Sequence, residues 1–547
     1  MQTSIRPTAR IWALVREERS DIIAIYFFAV LSGLIQLSLP LGIQSIIGYV
    51  LGGTLSASLV VLISFLVAAV LFSGIMQVNQ MKIIERIQQK IFVRYSYIFA
   101  DRIPKLDLKQ VDGFYLPELV NRFFDTVSLQ KSLSKLLLDL PLAMIQILFG
   151  LVLLSFYHPF FILFGVLLLS LLWLILYATG SQGLQSSLTE STYKYQVAGW
   201  LEEMARLVNT FKFSRNSGLH LQKADNKTIN YIRARTTHFK VLLLQYKSLI
   251  AFKVVITAAM LIVGVVLLLN EQINIGQFVA AEIIILMVMS AVEKIIINLD
   301  SVYDALTAVE KIGKLTEKPV EGSGTYKALP QAYSVEAKAL SFSYGSGRKV
   351  LENLSFSIGS AQKVCIMGSE GSGKSTLLKL LTGIYQDFDG SLLINGIPVN
   401  NYELSSLRTH MGIVFPQENI FNGSLWENLT MGKDDTDPDH IRFLTNQTGL
   451  SKFLEQLPDG YDTELDPTGK RLPRNVIQKI LLVRALACRP SLLIMEEPWQ
   501  GIEAPYQENI RRILLGLAQT TVIVSTSDQA FASQCDQILR LDLIENH

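Results

Sequence analysis

The composition of this 547-residue chain excludes a string of ordinary soluble domains, because half of its residues are hydrophobic and only 18% are charged. An average soluble protein carries about 25% charged residues. The formal net charge of +2 gives no reason to expect nucleic acid as a partner. The three cysteines are too few for a disulfide framework and are expected to be reduced cytosolic thiols. We therefore expect a membrane-embedded part with a soluble part attached.

Lysine and arginine are absent from three apolar stretches, residues 21–81, 136–193 and 254–293. A helix needs about 20 mostly apolar residues to cross a bilayer, so each stretch can hold two crossings. Turn residues such as Gly52-Gly53 and His158-Pro159 divide the stretches. The sequence therefore predicts six spanning helices. They are residues 22–51, 55–78, 137–157, 159–179, 249–270 and 276–300.

The segments on one side of the predicted membrane are long and basic. Ten lysines and arginines fall between Lys82 and Lys135, and four arginines precede residue 20. By the positive-inside rule, these segments and both termini are cytoplasmic, as expected of a multi-pass protein of the inner (cytoplasmic) membrane. We expect no cleaved signal peptide, because no small-residue cleavage site follows the N-terminus and the first apolar stretch is too long.

Two cytoplasmic segments, residues 79–137 and 180–248, continue the helical pattern of the spans. The spanning helices are therefore expected to extend well into the cytoplasm. The tips of the extensions, Gly113–Glu118 and Asn209–Gly218, are either docking surfaces or solvated bends.

The sixth predicted span carries Glu282, Glu293 and Lys294. Charge inside a membrane usually faces protein or water. Glu282 lies close to the outer loop, so it either lines a substrate pathway or reaches the membrane surface.

The sequence pattern changes after the sixth span. Residues 1–315 are interpreted as the transmembrane domain and residues 316–333, with two prolines and two glycines, as a linker. In residues 334–547, short apolar runs between turn signals alternate with helical stretches. This alternation is typical of an α/β domain with a mostly parallel sheet.

A phosphate-binding loop lies near the start of the soluble part. The predicted strand Val364–Met367 is followed by the sequence Gly-x-x-x-x-Gly-Lys-Ser and then by an apolar helix, which is the context the motif requires. Lys374 is expected to reach the β- and γ-phosphates of a nucleotide, and the Ser375 hydroxyl to bind magnesium. The predicted nucleotide-binding residues of the loop are Gly368, Ser369, Gly371, Ser372, Gly373, Lys374, Ser375 and Thr376.

A second buried strand, Leu492–Met495, ends in two glutamates. Alone, such a pair is most often a solvated strand end. Combined with a phosphate loop, Glu496 is predicted to hold magnesium and Glu497 to deprotonate the attacking water.

Taken together, the motifs resemble those of the ATP-binding cassette (ABC) exporter half-transporters, in which six spans precede one nucleotide-binding domain. The resemblance covers essentially the whole chain. A short match opening the sixth span is similar to type 1 (hemolysin-like) secretion transporters. The matching motifs are Ile275–Phe278, Phe342–Tyr344, the phosphate loop, Ile413–Gln417 and Leu457–Thr463.

The resemblance implies roles for further residues. Tyr344 would stack on adenine, and Gln417 would contact magnesium and the γ-phosphate and act in catalysis beside Glu497. It also implies a six-helix α domain with long cytoplasmic extensions followed by an α/β P-loop domain. The nucleotide sites would form between two such domains, each phosphate loop facing the signature segment of the other.

Three departures from the family pattern mark the cassette as degenerate. The signature Leu-Ser-Gly-Gly-Gln is replaced by Leu472–Val476, in which Pro473 lacks an N–H. Either Arg474 replaces the lost phosphate contacts or they are absent. Ser527 stands at the position of the switch histidine, and Glu496 at that of an aspartate.

The resemblance therefore implies an ATP- and magnesium-binding transporter subunit that exports a peptide or protein as a homodimer or heterodimer. A periplasmic adaptor and an outer-membrane channel would be further partners. We expect weak or partner-dependent hydrolysis, so enzymatic activity stays open. The alternative is a non-hydrolysing, ATP-gated membrane scaffold or regulatory subunit.

Overall fold

The computed structural model describes residues 6–53, 57–111, 116–213, 218–345, 347, 349–416, 419–465 and 472–541. The chain divides into two compact units. The first comprises Met1–Pro104 and Gly113–Lys318, and the second comprises Lys105–Asp112 and Pro319–His547. A short segment from within the helical half thus belongs to the second unit.

Long helices dominate the first half of the chain. In chain order, the helices are α1 (Pro7–Glu17), α2 (Arg19–Leu51), α3 (Ala57–Arg102), α4 (Leu108–Val111), α5 (Leu116–Asn121), α6 (Asp125–Tyr157), α7 (Phe160–Arg206), α8 (Val208–Lys212), α9 (Leu219–Leu269), α10 (Ile275–Ile297) and α11 (Leu299–Thr316). All except α4 lie in the first unit.

Six helical stretches among the described residues are long and apolar enough to cross a membrane. Each contains 33 to 51 residues, which exceeds the about 20 that a bilayer requires. The six stretches are Arg19–Leu51, Ala57–Lys105, Leu116–Tyr157, Phe160–Arg206, Leu219–Leu269 and Ile275–Thr316.

The sixth of these stretches is the most enclosed. Half of its most apolar window is buried within the protein, against 22–33% for the other five. Lipid solvates apolar side chains as well as protein does, so close helix packing in membranes depends on small residues at the contacts. Gly150 of α6 provides such a contact with α10, because a Cβ atom there would lie 2.5 Å from Cγ2 of Val288.

We expect Gly150→Val to force α6 away from α10 and to lower the thermal stability of the detergent-solubilised protein. Overpacking of this kind costs about 1–3 kcal/mol. Gly74→Val is the matched control, since Gly74 lies on α3 and a Cβ atom there would have no neighbour within 4 Å. Melting curves followed by intrinsic fluorescence measure both variants. Equal melting temperatures would contradict the close contact at Gly150.

Polar side chains within the spans pair with one another. Oγ of Ser32 lies 2.7 Å from Oγ of Ser73, between α2 and α3. Glu293 of α10, one of the charged residues noted in the sequence, forms an ion pair with Lys253 of α9. Such pairing is expected because an unsatisfied polar group is costly in hydrocarbon. Glu282 is half-buried on α10, and its role in a substrate pathway stays a prediction.

The second unit is an α/β domain. Its strands are β1 (Val335–Ser343), β2 (Lys349–Ile358), β3 (Lys363–Gly368), β4 (Asp389–Ile394), β5 (Ile397–Pro398), β6 (Met411–Val414), β7 (Gly423–Ser424), β8 (Glu464–Leu465), β9 (Leu492–Glu496), β10 (Thr521–Ser525) and β11 (Gln537–Leu541). Its later helices are α12 (Lys374–Leu381), α13 (Leu404–Thr409), α14 (Leu425–Thr430), α15 (Pro438–Thr448), α16 (Ser451–Leu454), α17 (Arg474–Ala487), α18 (Ala504–Gly516) and α19 (Gln529–Ala532).

A five-stranded parallel sheet in the order β11-β3-β10-β9-β6 forms the centre of this unit. Leu492–Met495 of β9 is fully buried, as expected of a parallel strand that is covered on both faces. A second, antiparallel sheet has the order β2-β1-β4-β5. These observations confirm the predicted fold class. Strand β10 lies between β3 and β9, and all three are parallel. The residues that follow these strands therefore meet at one edge of the sheet.

From Pro319 onward the predicted linker belongs to the second unit and is bonded to it, whereas Thr316 is still the last residue of α11. Val320 forms an antiparallel bridge with Leu106, and the Glu321 N–H donates to the Lys105 carbonyl at 2.8 Å. The Arg408 guanidinium donates to both carboxylate oxygens of Glu321, at 2.6 and 2.8 Å. The linker is therefore bonded to the second unit, including the short segment that precedes the first predicted tip.

The two predicted tips are described only in part. In the first, Gly113 lies outside the described residues and Leu116 begins α5. In the second, α8 covers Val208–Lys212, while residues 214–217 lie outside the described part. Phe213 beside that gap is 82% exposed, so the second tip presents an apolar side chain at its surface. Docking at either tip remains a prediction.

Candidate nucleotide-binding site

The phosphate loop connects β3, which ends at Gly368, to α12, which begins at Lys374. Gly371 and Gly373 have φ angles of +81° and +89°, in the region that glycine adopts without strain. A loop of this conformation leading into a helix N-terminus presents backbone N–H groups and a favourable dipole to an anion. The local backbone is therefore suited to phosphate.

Two further observations support a phosphate ligand at this loop. Oγ of Ser372 is buried and has no hydrogen-bond partner within the described protein. Nζ of Lys374 donates to the carbonyl oxygens of Gly368 and Ser369, at 2.8 and 2.6 Å, so the ammonium lies over the loop. Phosphate oxygens would accept hydrogen bonds from both groups, so the residues present fit a nucleoside triphosphate.

Tyr344, the predicted adenine-stacking residue, follows the end of β1 directly. Its hydroxyl lies 3.0 Å from Oγ1 of Thr376 in α12. Phe342 and Tyr385 hold the ring by edge contacts at centroid distances of 5.0 and 5.4 Å. The ring is 37% exposed, so a planar base could lie against it. Stacking on adenine remains a prediction.

The predicted magnesium ligands Ser375 and Glu496 lie together. Oγ of Ser375 donates to Oε1 of Glu496 at 2.5 Å, across the gap between α12 and β9. A hydroxyl and a carboxylate are hard oxygen ligands, and magnesium is commonly bound by one or two such groups together with nucleotide phosphates. The pair therefore fits the ion. Gln417, the third predicted ligand and second catalytic candidate, lies outside the described residues.

Glu497, the predicted general base, follows β9 with a φ angle of +43°, which is uncommon for a residue with a side chain. Its N–H donates to the carbonyl of Ser525 in the neighbouring strand β10, at 2.9 Å. Its carboxylate accepts from Oγ1 of Thr526 at 3.0 Å and from the N–H of Ser527 at 3.2 Å. Unusual backbone conformations of this kind cluster at functional sites.

The segment predicted to be an altered signature, Leu472–Val476, leads into the start of α17. The helix begins at Arg474, and the preceding Pro473 provides no side-chain cap. Residues 466–471, immediately before it, lie outside the described part. Pro473 and Arg474 are both exposed, so an approaching phosphate would meet a guanidinium where the family has a serine and two glycines. A phosphate contact by Arg474 remains a prediction.

An ion pair between a buried lysine and a half-exposed glutamate joins α17 to the loop that follows β9. Nζ of Lys479, only 5% exposed, lies 2.7 Å from Oε2 of Glu503 and 5.0 Å from the centre of the Tyr506 ring. The hydrogen bond from Lys479 lowers the pKa of Glu503 below its usual range. The pair thus connects the altered signature helix to the segment after the predicted base.

None of the three cysteines forms a disulfide bond, and each is at least half-buried. Because of this burial, their thiols are predicted to react slowly with alkylating reagents. Burial raises the pKa of the Cys365 thiol to about 11, with a smaller contribution from Asp528. The fraction of reactive thiolate at pH 7 is therefore about a hundredfold lower than for a cysteine of ordinary pKa.

We expect maleimide to label Cys365 far more slowly in the native protein than in denaturant, and the native rate to rise with pH up to about 11. Mass spectrometry of peptides after quenching, over a pH series, measures the labelling of Cys365 separately from that of Cys488 and Cys535. Rapid native labelling at pH 7 would contradict the burial of the strand that carries the phosphate loop.

The fold and the site define a membrane-spanning P-loop nucleotide-binding protein. Residues 22–292 match the family model described as "ABC transporter transmembrane region". Residues 351–500 match the family model described as "ABC transporter". Together the two matches cover most of the chain. The chain belongs to the ABC transporters and has the half-transporter arrangement of one membrane region and one nucleotide-binding domain. It is accordingly a multi-pass membrane protein whose nucleotide-binding domain is cytoplasmic.

Similar proteins carry different names. An ATP-dependent lipid A-core flippase of Burkholderia orbicola is 30% identical over 303 residues, which cover 55% of this chain and 50% of that protein. A multidrug efflux ATP-binding/permease protein of Mycobacterium tuberculosis is 32% identical over 43% of this chain and 20% of that protein. A lactococcin transport/processing ATP-binding protein of Lactococcus lactis is 26% identical over 58% of this chain and 45% of that protein. The matches thus span half or less of these relatives' lengths.

A structure of a bacterial Atm1-family ABC exporter with ATP bound superposes with a TM-score of 0.83. It covers 96% of this chain and 95% of that chain, at 20% sequence identity. The likeness establishes the ABC exporter fold over 96% of this chain.

No local sequence signal marks Thr526 or Lys479 as functional. Thr526 precedes the predicted switch position, and Lys479 lies within the helix that follows the altered signature. Neither residue belongs to the quoted motifs, and only the tertiary structure places both beside the loop around Glu497.

Proposed function

We propose that this chain is one half of an ATP-driven exporter of the inner (cytoplasmic) membrane that acts as a homodimer or heterodimer. The observation that carries the proposal is the convergence of Lys374, Ser375, Glu496 and Glu497 at one edge of a parallel sheet, in a chain with six membrane-spanning helices. Such a site binds ATP with magnesium, and the spanning helices supply the path that ATP binding would open and close.

The proposed work of the residues follows from their positions. Lys374 and the loop N–H groups bind the phosphates, Tyr344 receives the adenine, and Glu497 accepts the proton of the attacking water. Ser375 and Glu496 would hold magnesium together with the nucleotide, and the ion would supply positive charge that neutralises the phosphates. Two such domains would close around two nucleotides, and that closure would drive alternating access in the membrane part.

Hydrolysis is proposed to be weak in a homodimer or to depend on a partner with intact motifs. The altered signature, with Pro473 and Arg474, and Ser527 in place of the switch histidine remove groups that act on the transition state. The loss of one preorganised donor typically costs about 10²–10³ in rate. A heterodimeric partner would supply an intact signature to this phosphate loop but not a histidine at position 527.

The proposed substrate is a peptide or a protein, on the strength of the short similarity at Ile275–Phe278 to type 1 secretion transporters. The named role of the lactococcin relative is compatible with a peptide substrate. A lipid is the second candidate, because the lipid A-core flippase matches more than half of this chain. For a peptide or protein substrate, a periplasmic adaptor and an outer-membrane channel would complete the route.

A non-hydrolysing scaffold or regulatory subunit is the second candidate function. The altered signature and Ser527 favour it, since a site without these groups can bind ATP and still fail to turn it over. Glu497 favours the exporter, because a scaffold that never hydrolyses ATP has no need of a positioned base.

The test measures magnesium-dependent ATP hydrolysis by the purified full chain in lipid vesicles, with Lys374→Ala as the inactive control. We expect slow turnover that requires magnesium and Lys374. Addition of an unstructured peptide or of lipid A separates the two substrate classes by stimulation of the rate. ATP binding without any Lys374-dependent turnover would overturn the self-sufficient exporter and favour the scaffold or an obligate partner.

A further inference from the structure

Both carboxylate oxygens of Glu497 are held by the two residues that follow β10. Oε2 accepts from the hydroxyl of Thr526 at 3.0 Å, and Oε1 accepts from the N–H of Ser527 at 3.2 Å. The side chain of Ser527 takes no part in this contact, which uses only its backbone. The backbone of Ser527 thus contacts Glu497 at the predicted switch position, although this residue is a serine and not a histidine.

The hydrogen-bond network determines the direction of the Thr526 hydroxyl. Its oxygen accepts from the N–H of Asp528 at 3.3 Å, which leaves its proton for the carboxylate of Glu497. Asp528 is itself fixed by Arg511, whose Nε and Nη2 lie 2.8 and 2.7 Å from its Oδ2. The threonine therefore occupies a supported orientation.

The backbone around the pair is equally constrained. Thr526 is only 3% exposed, and its N–H donates to the carbonyl of Ile366 in β3 at 3.3 Å. Glu497 has a positive φ, and its N–H donates to Ser525. With the backbone fixed on both sides, the Thr526 hydroxyl is the side-chain group that restricts the rotation of the carboxylate.

We propose that Thr526 is a positioning residue that orients Glu497 as the general base for ATP hydrolysis, in place of the missing switch side chain. This inference rests on the proposed function. As the water oxygen bonds to the γ-phosphorus, the bond from that phosphorus to the β–γ bridging oxygen breaks. ADP leaves, phosphate forms, and Glu497 takes the proton of the water. Thr526 neither gains nor loses a proton and only holds the carboxylate in line with the water.

The experiment compares Thr526→Val, which keeps the shape and removes the hydroxyl, with Thr526→Ser, which keeps the hydroxyl. Hydrolysis is measured with the full chain in lipid vesicles, at protein excess over radiolabelled ATP, so that slow turnover is detectable over hours. ATP affinity is measured on the same samples with a fluorescent ATP analogue. Thr520→Val is the matched control, because its hydroxyl is also buried but donates to the Pro490 carbonyl at 2.7 Å, at the opposite end of β10.

We expect Thr526→Val to hydrolyse about 10- to 100-fold more slowly at unchanged ATP affinity, since a general base typically contributes 10²–10⁴ and a misdirected one loses part of this. Thr526→Ser should stay within about threefold of the wild type, by retention of the same hydrogen bond. Thr520→Val should hydrolyse at the wild-type rate.

Each of four results would overturn the inference. An unchanged or faster rate in Thr526→Val, with Glu497→Gln inactive, removes Thr526 from the reaction and leaves the proposed function standing. Loss of ATP affinity in Thr526→Val, or failure of Thr526→Ser to restore the rate, assigns the threonine to folding alone. Absence of Lys374-dependent hydrolysis in the wild type overturns both the hydrolytic function of the chain alone and the role of Thr526.

Discussion

Restoration of the altered signature and switch positions is expected to raise magnesium-dependent ATP hydrolysis by at least about 10²-fold. The restored chain carries Ser-Gly-Gly-Gln at residues 473–476 and Ser527→His. Each change returns a group that acts on the transition state, and a single preorganised donor is worth about 10²–10³ in rate. The rate of phosphate release by the full chain in lipid vesicles measures the effect.

The two groups of substitutions test the two predicted defects separately, because in the proposed dimer the signature would serve the facing phosphate loop and residue 527 would serve its own. Each restoration alone is expected to raise the rate less than both together. Glu497→Gln in the restored background is the control, and it should return the rate to background. No gain from the full restoration would contradict a chemical limit at these positions and would favour the scaffold function.

Substitutions at Lys374 and Glu497 are expected to separate ATP binding from ATP hydrolysis. Lys374→Ala is expected to weaken ATP binding by about 10²-fold, since hydrogen bonds to charged groups are worth about 1.5–3 kcal/mol each. Glu497→Gln is expected to keep the binding and to lower hydrolysis by about 10²–10⁴, because a general base contributes that much to the chemical step. Titration with a fluorescent ATP analogue and a turnover assay on the same preparations measure the two quantities.

The matched control for the lysine is Lys379→Ala. Lys379 lies in the last turn of the same helix, α12, away from the phosphate loop. Its loss changes the charge of the helix by the same amount and should leave ATP affinity unchanged. Equal weakening by both lysine variants would mean that net charge, rather than the contact at the loop, determines the affinity. Weak binding by Glu497→Gln would place that glutamate in nucleotide binding instead of catalysis.

Much of the fold could be predicted because membrane insertion and parallel sheets both leave strong sequence patterns. The absence of lysine and arginine from 254–293, for example, reflects the cost of charge in hydrocarbon and predicts two of the six spans. Packing between helices leaves a weaker pattern. The contact of Gly150 with Val288 depends on how α6 and α10 cross, and no local spacing specifies it.

The candidate site likewise has residues that the sequence predicts and one contact that it does not. The phosphate loop is contiguous in sequence, so its strand, glycines, lysine and helix could be recognised together. Glu496 ends a buried strand far along the chain. Its position near Ser375 could be predicted from the general rule that the carboxyl ends of parallel strands lie at one edge of the sheet. Thr526 follows a different strand and belongs to no motif. Its contact with Glu497 depends on the side-by-side register of β9 and β10.

The sequence by itself determined that the chain has six membrane-spanning helices and a phosphate loop, and it predicts an altered signature. These features are local, and they arise from the hydrophobicity of the spans and from the fixed spacing that phosphate binding requires. Only the tertiary structure decided that the linker is fastened through Val320 and Glu321, and that a hydroxyl from Thr526 holds the predicted base. Such contacts join residues far apart in the chain, and their geometry exists only once strands and loops have packed.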